Sequence, residues 1–389
     1  MVPKGWEEKP LIKLLDKIID YRGQSVPKAD NGIPLITARN VRFGYLDFSN
    51  QEYVDEGEFE NWMSRGIPDV GDILFTTEAP LGMACRFPEK GRYAVAQRTV
   101  TLRTSNRLHS DFLLYFLLSE HGQRLIDIRS SGSTAKGIKS AELKKVKLLH
   151  PTCINEQQKI AKILSTWDKA ISTTERLIEN STQQKKALMQ QLLTGKKRLL
   201  DDEGKRFDKK WERIELGKLL DYKQPTPYLV KSTDYSDEYP TPVLTAGKTF
   251  ILGYTDEEFG IFSEDLPTII FDDFTTASKF VDFPFKAKSS AMKMLVAKDG
   301  VSIKYIFEVM QALSYAIGGH QRHWISIFAN IVIGLPCLEE QQKITAVSNN
   351  ADKEIELLEQ QLADLQQEKK ALMQVLLTGK KRVTLEELE

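Results

Sequence analysis

The tract from Glu156 to Arg198 recurs as Glu340 to Arg382 at a fixed offset of 184 residues, with no gap. Laying Cys153–Arg198 on Cys337–Arg382 gives 24 identities in 46 positions, with E-Q-Q-K-I near the start and K-K-A-L-M-Q-x-L-L-T-G-K-K-R at the end. Chance does not produce that match, so the chain must fold as two copies of one unit. Fainter echoes precede each copy: Trp6, Glu7, Leu11, Lys13, Leu14, Leu15 and Asp16 return as Trp211, Glu212, Leu216, Lys218, Leu219, Leu220 and Asp221. Each unit is a variable globular segment followed by a repeated helix.

The repeated tracts carry an apolar seam of heptad spacing. From Ile160, the a positions are Ile160, Trp167, Thr174, Ser181 and Leu188, and the d positions Leu164, Ile171, Ile178, Lys185 and Leu192. The second copy reads Ile344, Ala351, Leu358, Leu365 and Leu372 at a, with Ser348, Ile355, Leu362, Lys369 and Leu376 at d. Both want a partner helix, and the first has the weaker seam. Pro336 before the second tract, and Thr194-Gly195 and Thr378-Gly379 behind the two, suit helix boundaries. The spacing predicts helices of about 35 to 38 residues, on the order of 50 to 55 Å long. A chain that leaves one helix to build the second segment and returns along the other makes an antiparallel pair, with the globular segments expected at its opposite ends. The same polar residues occur in both copies (Gln157, Gln158, Lys159, Gln190, Lys196, Lys197, Arg198). That suggests a surface meeting the same partner twice; an ordinary bundle helix is the plainer reading of either tract alone.

Bulk properties narrow the class. The 389 residues suffice for two domains with cores of their own. The 54 basic and 54 acidic residues balance to zero net charge, so any nucleic-acid affinity must come from local patches. Cys85, Cys153 and Cys337 are too dispersed for a disulfide framework or a four-cysteine zinc site. Residues 1 to 30 lack a signal h-region, and no apolar run approaches the roughly 18 residues of a membrane span. A cytoplasmic location fits these features.

Both variable segments read as mixed α and β domains, sheet first. Strand-like runs include Pro34-Leu35-Ile36, Asp72-Ile73-Leu74-Phe75 and Thr99-Val100-Thr101-Leu102, and a helix carries Phe112 to Leu118. Tyr305 to Ala316 takes the helix's place in the second segment. Pro34, Thr37, Ala38, Gly44 and Tyr45 parallel Pro242, Thr245, Ala246, Gly253 and Tyr254, and Ile73-Leu74-Phe75 parallels Ile269-Ile270-Phe271.

The loops differ, and there base-reading chemistry could sit. After one strand, Thr37, Arg39, Asn40 and Arg42 offer hydroxyl, guanidinium and amide groups of the kind that read guanine and adenine edges bidentately. A small, polar, basic loop with Ser131, Ser133, Thr134 and Lys136 suits close approach to phosphates. The matching loops of the second segment hold Thr245 and Lys248, and His320, Gln321, Arg322 and His323; Lys279 is counted with them. Taken singly, each reads better as a solvated turn; as matched pairs on a duplicated frame, the two readings stand even.

No catalytic site emerges. There is no G-x-x-x-x-G-K-[ST] phosphate loop. Asp282-Phe283-Pro284-Phe285 approaches an amino-methyltransferase motif but has Phe283 where a proline belongs. Pro68-Asp69 followed by Glu78 opens like a nuclease carboxylate site, but Ala79-Pro80 follows with no lysine. His320 and His323 are the one histidine pair with ligand-like spacing, and Asp272-Asp273 reads better as an acidic turn than as a metal site.

Two variable segments, each closed by an E-Q-Q-K-I helix start and a long helix ending K-K-A-L-M-Q-x-L-L-T-G-K, resemble the specificity subunit of type I restriction-modification systems over essentially the whole chain. The resemblance implies an α+β fold with a pseudo-twofold repeat: two mixed α/β target recognition domains at residues 1–153 and 199–336, a long antiparallel two-helix coiled coil from residues 154–198 and 337–382, and a tail at 383–389. It implies a non-catalytic subunit in a bacterial or archaeal cell. Each recognition domain would read one half of a bipartite, asymmetric DNA target, and the helices would set the spacer and dock two methyltransferase subunits, joined by restriction subunits. Glu156, Gln157 and Gln158, with Glu340, Gln341 and Gln342, would serve that docking. This chain would hold no cofactor. S-adenosylmethionine would belong to the methyltransferase partner, and ATP and magnesium to the restriction partner. The leading rival is a coiled-coil structural adapter with two protein-binding heads, and a free-standing transcription regulator is another.

Overall fold

The computed structural model describes residues 2–132, 136–247, 249–313, 324 and 327–385. They form two compact units: residues 1–175 with 360–389, and residues 176–359. Each unit takes in one variable segment and part of both long helices.

In the first unit, Trp6–Pro10 pairs antiparallel with Lys147–Pro151, which brings the two ends of the variable segment together. A four-stranded antiparallel sheet follows in the order Leu15–Ile19, Thr99–Thr104, Ile73–Thr76, Ala84–Arg86. Strand side chains alternate between faces, and both faces of this sheet are covered. Ile73 and Phe75 join the core with the helix Ser110–Leu118, whereas Leu74 points into a second cluster with Ile36, Val41 and Val95. That is why the strand reads as a continuous apolar run. A smaller sheet has the order Lys28–Ala29, Glu52–Val54, Ile33–Ile36, Ala94–Val95, its last pair parallel.

The second unit repeats this plan. Glu212–Glu215 pairs antiparallel with Val332–Leu335. The four-stranded sheet runs Leu220–Lys223, Met292–Ala297, Thr268–Asp272, Ser278–Val281. The smaller sheet runs Ile251–Thr255, Thr241–Leu244, Lys286–Ala287, again with a parallel last pair. Ile269 and Phe271 face the helix Ile303–Ala312, while Ile270 faces the other core. The paired motifs of the sequence therefore occupy equivalent strands: Pro34 and Pro242 in one, Ile73-Leu74-Phe75 and Ile269-Ile270-Phe271 in the other.

The long helices are Ile154–Leu193 and Leu338–Leu376, of 40 and 39 residues, or roughly 60 Å each at 1.5 Å per residue. They are slightly longer than the seam alone predicts, because each begins on the residue after its cysteine. Both stop where expected: Gly195 and Gly379 take left-handed backbones, φ 69° and 67°, and donate back to Leu192 and Leu376.

Within the first unit the start of the first helix lies along the end of the second. Arg382 donates to both oxygens of Glu156 at 2.5 and 2.7 Å, and Lys369 pairs with Asp168. Within the second unit Arg198 donates to both oxygens of Glu340 at 2.5 and 2.7 Å, and Lys185 pairs with Asp352 at 2.5 Å. As one residue number rises the other falls, so each local pair is antiparallel. The offset of 184 maps Glu156, Asp168, Lys185 and Arg198 onto Glu340, Asp352, Lys369 and Arg382. There are thus two kinds of cross-helix ion pair, each made twice with the copies exchanging roles. Lysine at a seam position, Lys185 or Lys369, is explained by the aspartate facing it.

Candidate nucleic-acid interface

The helix starts are built as clasps. Glu340 is 1% exposed and accepts from Trp211 Nε1 at 3.0 Å as well as from Arg198. The Arg198 guanidinium also lies 5.4 Å from the Trp211 ring, and Arg382 sits likewise 5.9 Å from Trp6. The bidentate carboxylate beside each guanidinium raises the arginine's pKa. Gln157 and Gln341 are buried too. The Gln157 side chain accepts from the backbone N–H of His109 and donates to the carbonyls of Arg107 and Pro151. Gln341 accepts from the N–H of Ser302 and donates to the carbonyl of Pro336. His109 and Ser302 each sit at the N-cap of the domain helix that packs on the sheet. These glutamines therefore bolt each long helix to its own unit.

This corrects the docking set. Glu156, Gln157, Glu340 and Gln341 are buried and satisfied internally, so a partner cannot reach them without breaking the clasps. Gln158 and Gln342 are exposed. Arg198 and Arg382 recur because each pairs with the glutamate at the start of the other copy's helix, whereas Gln158, Gln190, Lys196 and Lys197 are exposed and stay available to an outside partner.

The Arg39 loop divides in two. Asn40 is 0% exposed: its Oδ1 accepts from Thr37 N and Oγ1, and its Nδ2 donates to the carbonyls of Asp47 and Asn50. An amide making its four bonds has nothing left for an adenine edge. Asn40 and Thr37 are thus loop-building residues, a correction to their reading as base contacts. Arg39 is exposed, and Arg42 pairs with Asp47 at 3.2 Å in a half-exposed setting. Sequence reasoning passed over the aromatic tip of this loop, where Phe43, Tyr45 and Phe48 are exposed. Two aromatic residues flank a glycine directly after Arg42 in R-F-G-Y, which is the signal that could have drawn attention to it. Phe43 and Tyr45 border a groove of about 1190 Å³ in the first unit, closed by Phe116, Lys369, Lys370 and Met373.

Ser131 and Lys136 lie in an exposed loop closed by reciprocal backbone bonds between Ser131 and Gly137, and Lys136 pairs with Asp127 at 2.5 Å. In the second unit Thr245 stabilises its turn by donating to the carbonyl of Thr249. Lys279 is exposed and sits 5.9 Å from the ring of Phe250 in that same turn, which brings it beside Thr245. Ser133, Thr134, Lys248, His320, Gln321, Arg322 and His323 lie outside the described residues. Phe285 is fully buried beside Phe262, so Asp282-Phe283-Pro284-Phe285 runs into strand core.

With this geometry in view, comparison with known proteins is informative. Residues 3–181 match the family described as "Type I restriction modification DNA specificity domain". Over 143 residues the chain is 50% identical to the type I restriction enzyme EcoR124I/EcoR124II specificity subunit of Escherichia coli, spanning 36% of this chain and 35% of that protein. Over 98% of the chain and 95% of the relative it is 26% identical to the putative type I restriction enzyme MjaX specificity subunit of Methanocaldococcus jannaschii. The chain is similar to type I specificity subunits, strongly over part of its length and weakly over nearly all of it. The solved S subunit from M. genitalium superposes on this chain with a TM-score of 0.63, covering 99% of one chain and 97% of the other at 15% identity, and so shares its fold. The match is to a module of DNA specificity, a recognition role distinct from catalysis. No helix of the described residues is long and apolar enough to cross a membrane.

Proposed function

We propose that this specificity subunit directs a type I restriction-modification complex to a bipartite, asymmetric DNA sequence, each unit reading one half. The observation that carries the reading is the duplicated frame with unlike loops. Two copies of one strand order present Arg39, Arg42, Ser131 and Lys136 in one unit and Thr245 and Lys279 in the other. Equal frames with different edge chemistry suit two different half-sites. The recognition domains are residues 1–153 and 199–336, and the helices between them set the number of base pairs separating the half-sites.

Two methyltransferase subunits dock on the helices and supply S-adenosylmethionine, and restriction subunits with ATP and magnesium join them. Gln158 and Gln342 remain the docking candidates. Apolar seam side chains left half-buried (Ile171, Ile178, Leu358, Leu362) and exposed leucines beside the seam (Leu177, Leu357) support the need for partner helices. Zero net charge implies that tight DNA binding draws on those partners for phosphate contacts.

The test lengthens both helices by one heptad, after Arg176 and after Gln360. A heptad keeps the helix faces aligned and adds roughly 10 Å, about 3 base pairs at 3.4 Å each. Sequencing of methylated bases in cells carrying the variant with its methyltransferase should return both half-sites unchanged and a longer spacer. Altered half-sites with the original spacer would refute the ruler. The place matters, because an insertion after Thr194 would pull Arg198 off Glu340.

A further inference from the structure

The four-stranded sheet of each unit has an equivalent hairpin turn. One joins Ile73–Thr76 to Ala84–Arg86, the other Thr268–Asp272 to Ser278–Val281. Among the described residues two non-glycine residues have positive φ, and each turn holds one: Ala79 at 46° and Thr276 at 60°. Such a backbone costs on the order of 1 to 3 kcal/mol and persists where surrounding structure enforces it. A solvated turn would place glycine there without strain.

Each turn is braced from downstream of the domain helix by one backbone N–H, donated to the first residue after the strand: a carbonyl in one unit and a carboxylate in the other. Ile138 N reaches Thr77 O at 2.9 Å, and Trp324 N reaches Asp273 Oδ1 at 2.9 Å. Thr77 and Asp273 are buried, while the turn tips Glu78, Ala79 and Pro80, and Phe274 and Thr275, are exposed. Two units whose loops have otherwise diverged thus hold one unfavourable geometry and push its tip into solvent.

The tips differ in chemistry. In the first unit Glu78 is paired with Arg98 at 3.1 Å, both about half exposed, and Thr77 N bonds to Arg98 O. A carboxylate accepts from cytosine N4, and a guanidinium donates to guanine O6 and N7. Held side by side, they match the two edges of one G·C pair. In the second unit the tip offers Phe274, 50% exposed, with the side-chain methyls of Thr275 and Thr276, apolar groups suited to a thymine methyl.

We propose that these two turns are specificity-determining elements, the first reading a G·C pair through Glu78 and Arg98 and the second contacting an A·T pair through Phe274. The proposal rests on the bipartite reading above.

The experiment uses the full complex with its methyltransferase. Methylated motifs are mapped for the wild type and for Glu78→Gln, Arg98→Gln and Phe274→Ala. A wild type that yields no bipartite motif sinks the parent reading itself. Given a bipartite wild-type motif, the first two variants should lose on the order of ten- to hundred-fold of the preference for G·C at one shared position of one half-site. Phe274→Ala should relax the other half only. The half-site left intact reports that the subunit has folded and assembled. Motifs unchanged in all three variants overturn the proposal. A uniform drop in methylation with no relaxed position also overturns it, since that is what a phosphate contact gives. If Arg98→Gln abolishes methylation outright, the isosteric Glu78→Gln decides between these outcomes.

Discussion

Replacing Glu340 by alanine tests whether the repeated residues are each other's partners. The carboxylate is 1% exposed and takes three hydrogen bonds, two from Arg198 and one from Trp211. Removing one member of a buried pair typically costs about 3 to 5 kcal/mol, because the other charge is left uncompensated. Arg198 is 17% exposed in its side chain and keeps a bond to the carbonyl of Lys209, so water and that carbonyl relieve part of the loss. The lower end, about 3 kcal/mol, is expected. For a unit of this size that lowers the midpoint of its thermal transition by roughly 6 to 12 °C. Glu156→Ala should cost less, since its partner Arg382 has 45% side-chain exposure and reaches solvent more readily. Glu120→Ala removes a pair with both side chains about 60% exposed and should leave the melting midpoint essentially unchanged. The assay is chemical and thermal denaturation of the three variants with a Glu340→Ala, Arg198→Ala double-mutant cycle. A midpoint for Glu340→Ala as little changed as that for Glu120→Ala would refute the clasp.

Two further outcomes follow from the same structure. Thr276→Gly relieves a β-branched side chain at φ 60° and should leave the second unit as stable or up to about 1 kcal/mol more stable, as read by its melting midpoint; a clear drop would contradict the strain argument. Burial pushes the Cys85 thiol up to about 12, so at pH 8 it should stay unmodified by iodoacetamide in the folded protein while the exposed Cys153 reacts, a difference that mass spectrometry of the alkylated peptides resolves.

The duplication was legible because it is a property of the string, and the strand equivalences followed because Pro34 and Pro242 and the Ile-x-Phe runs occupy matching strands. Helix ends were legible because Gly195 and Gly379 supply the left-handed exit at the predicted place. What the residues do for one another was not. Glu156 and Gln157 look like a solvent face when read along one helix, yet their partners Arg382 and His109 stand 226 and 48 residues away. Polar residues satisfied over such distances have no local signature. Asn40 was misjudged for the same reason, since an amide that staples a loop and one that reads a base are the same letter. The strain at the turn tips was not legible, because positive φ at Ala79 and Thr276 is a backbone property that neither residue type suggests.

The central claim is that two unlike units read two halves of one target independently. Exchanging residues 6 to 150 for the matching segment of a relative, and mapping methylated bases by long-read sequencing, tests it most directly. One half of the bipartite motif should change, with the other half and the spacer retained; a change in both halves would contradict independent readout.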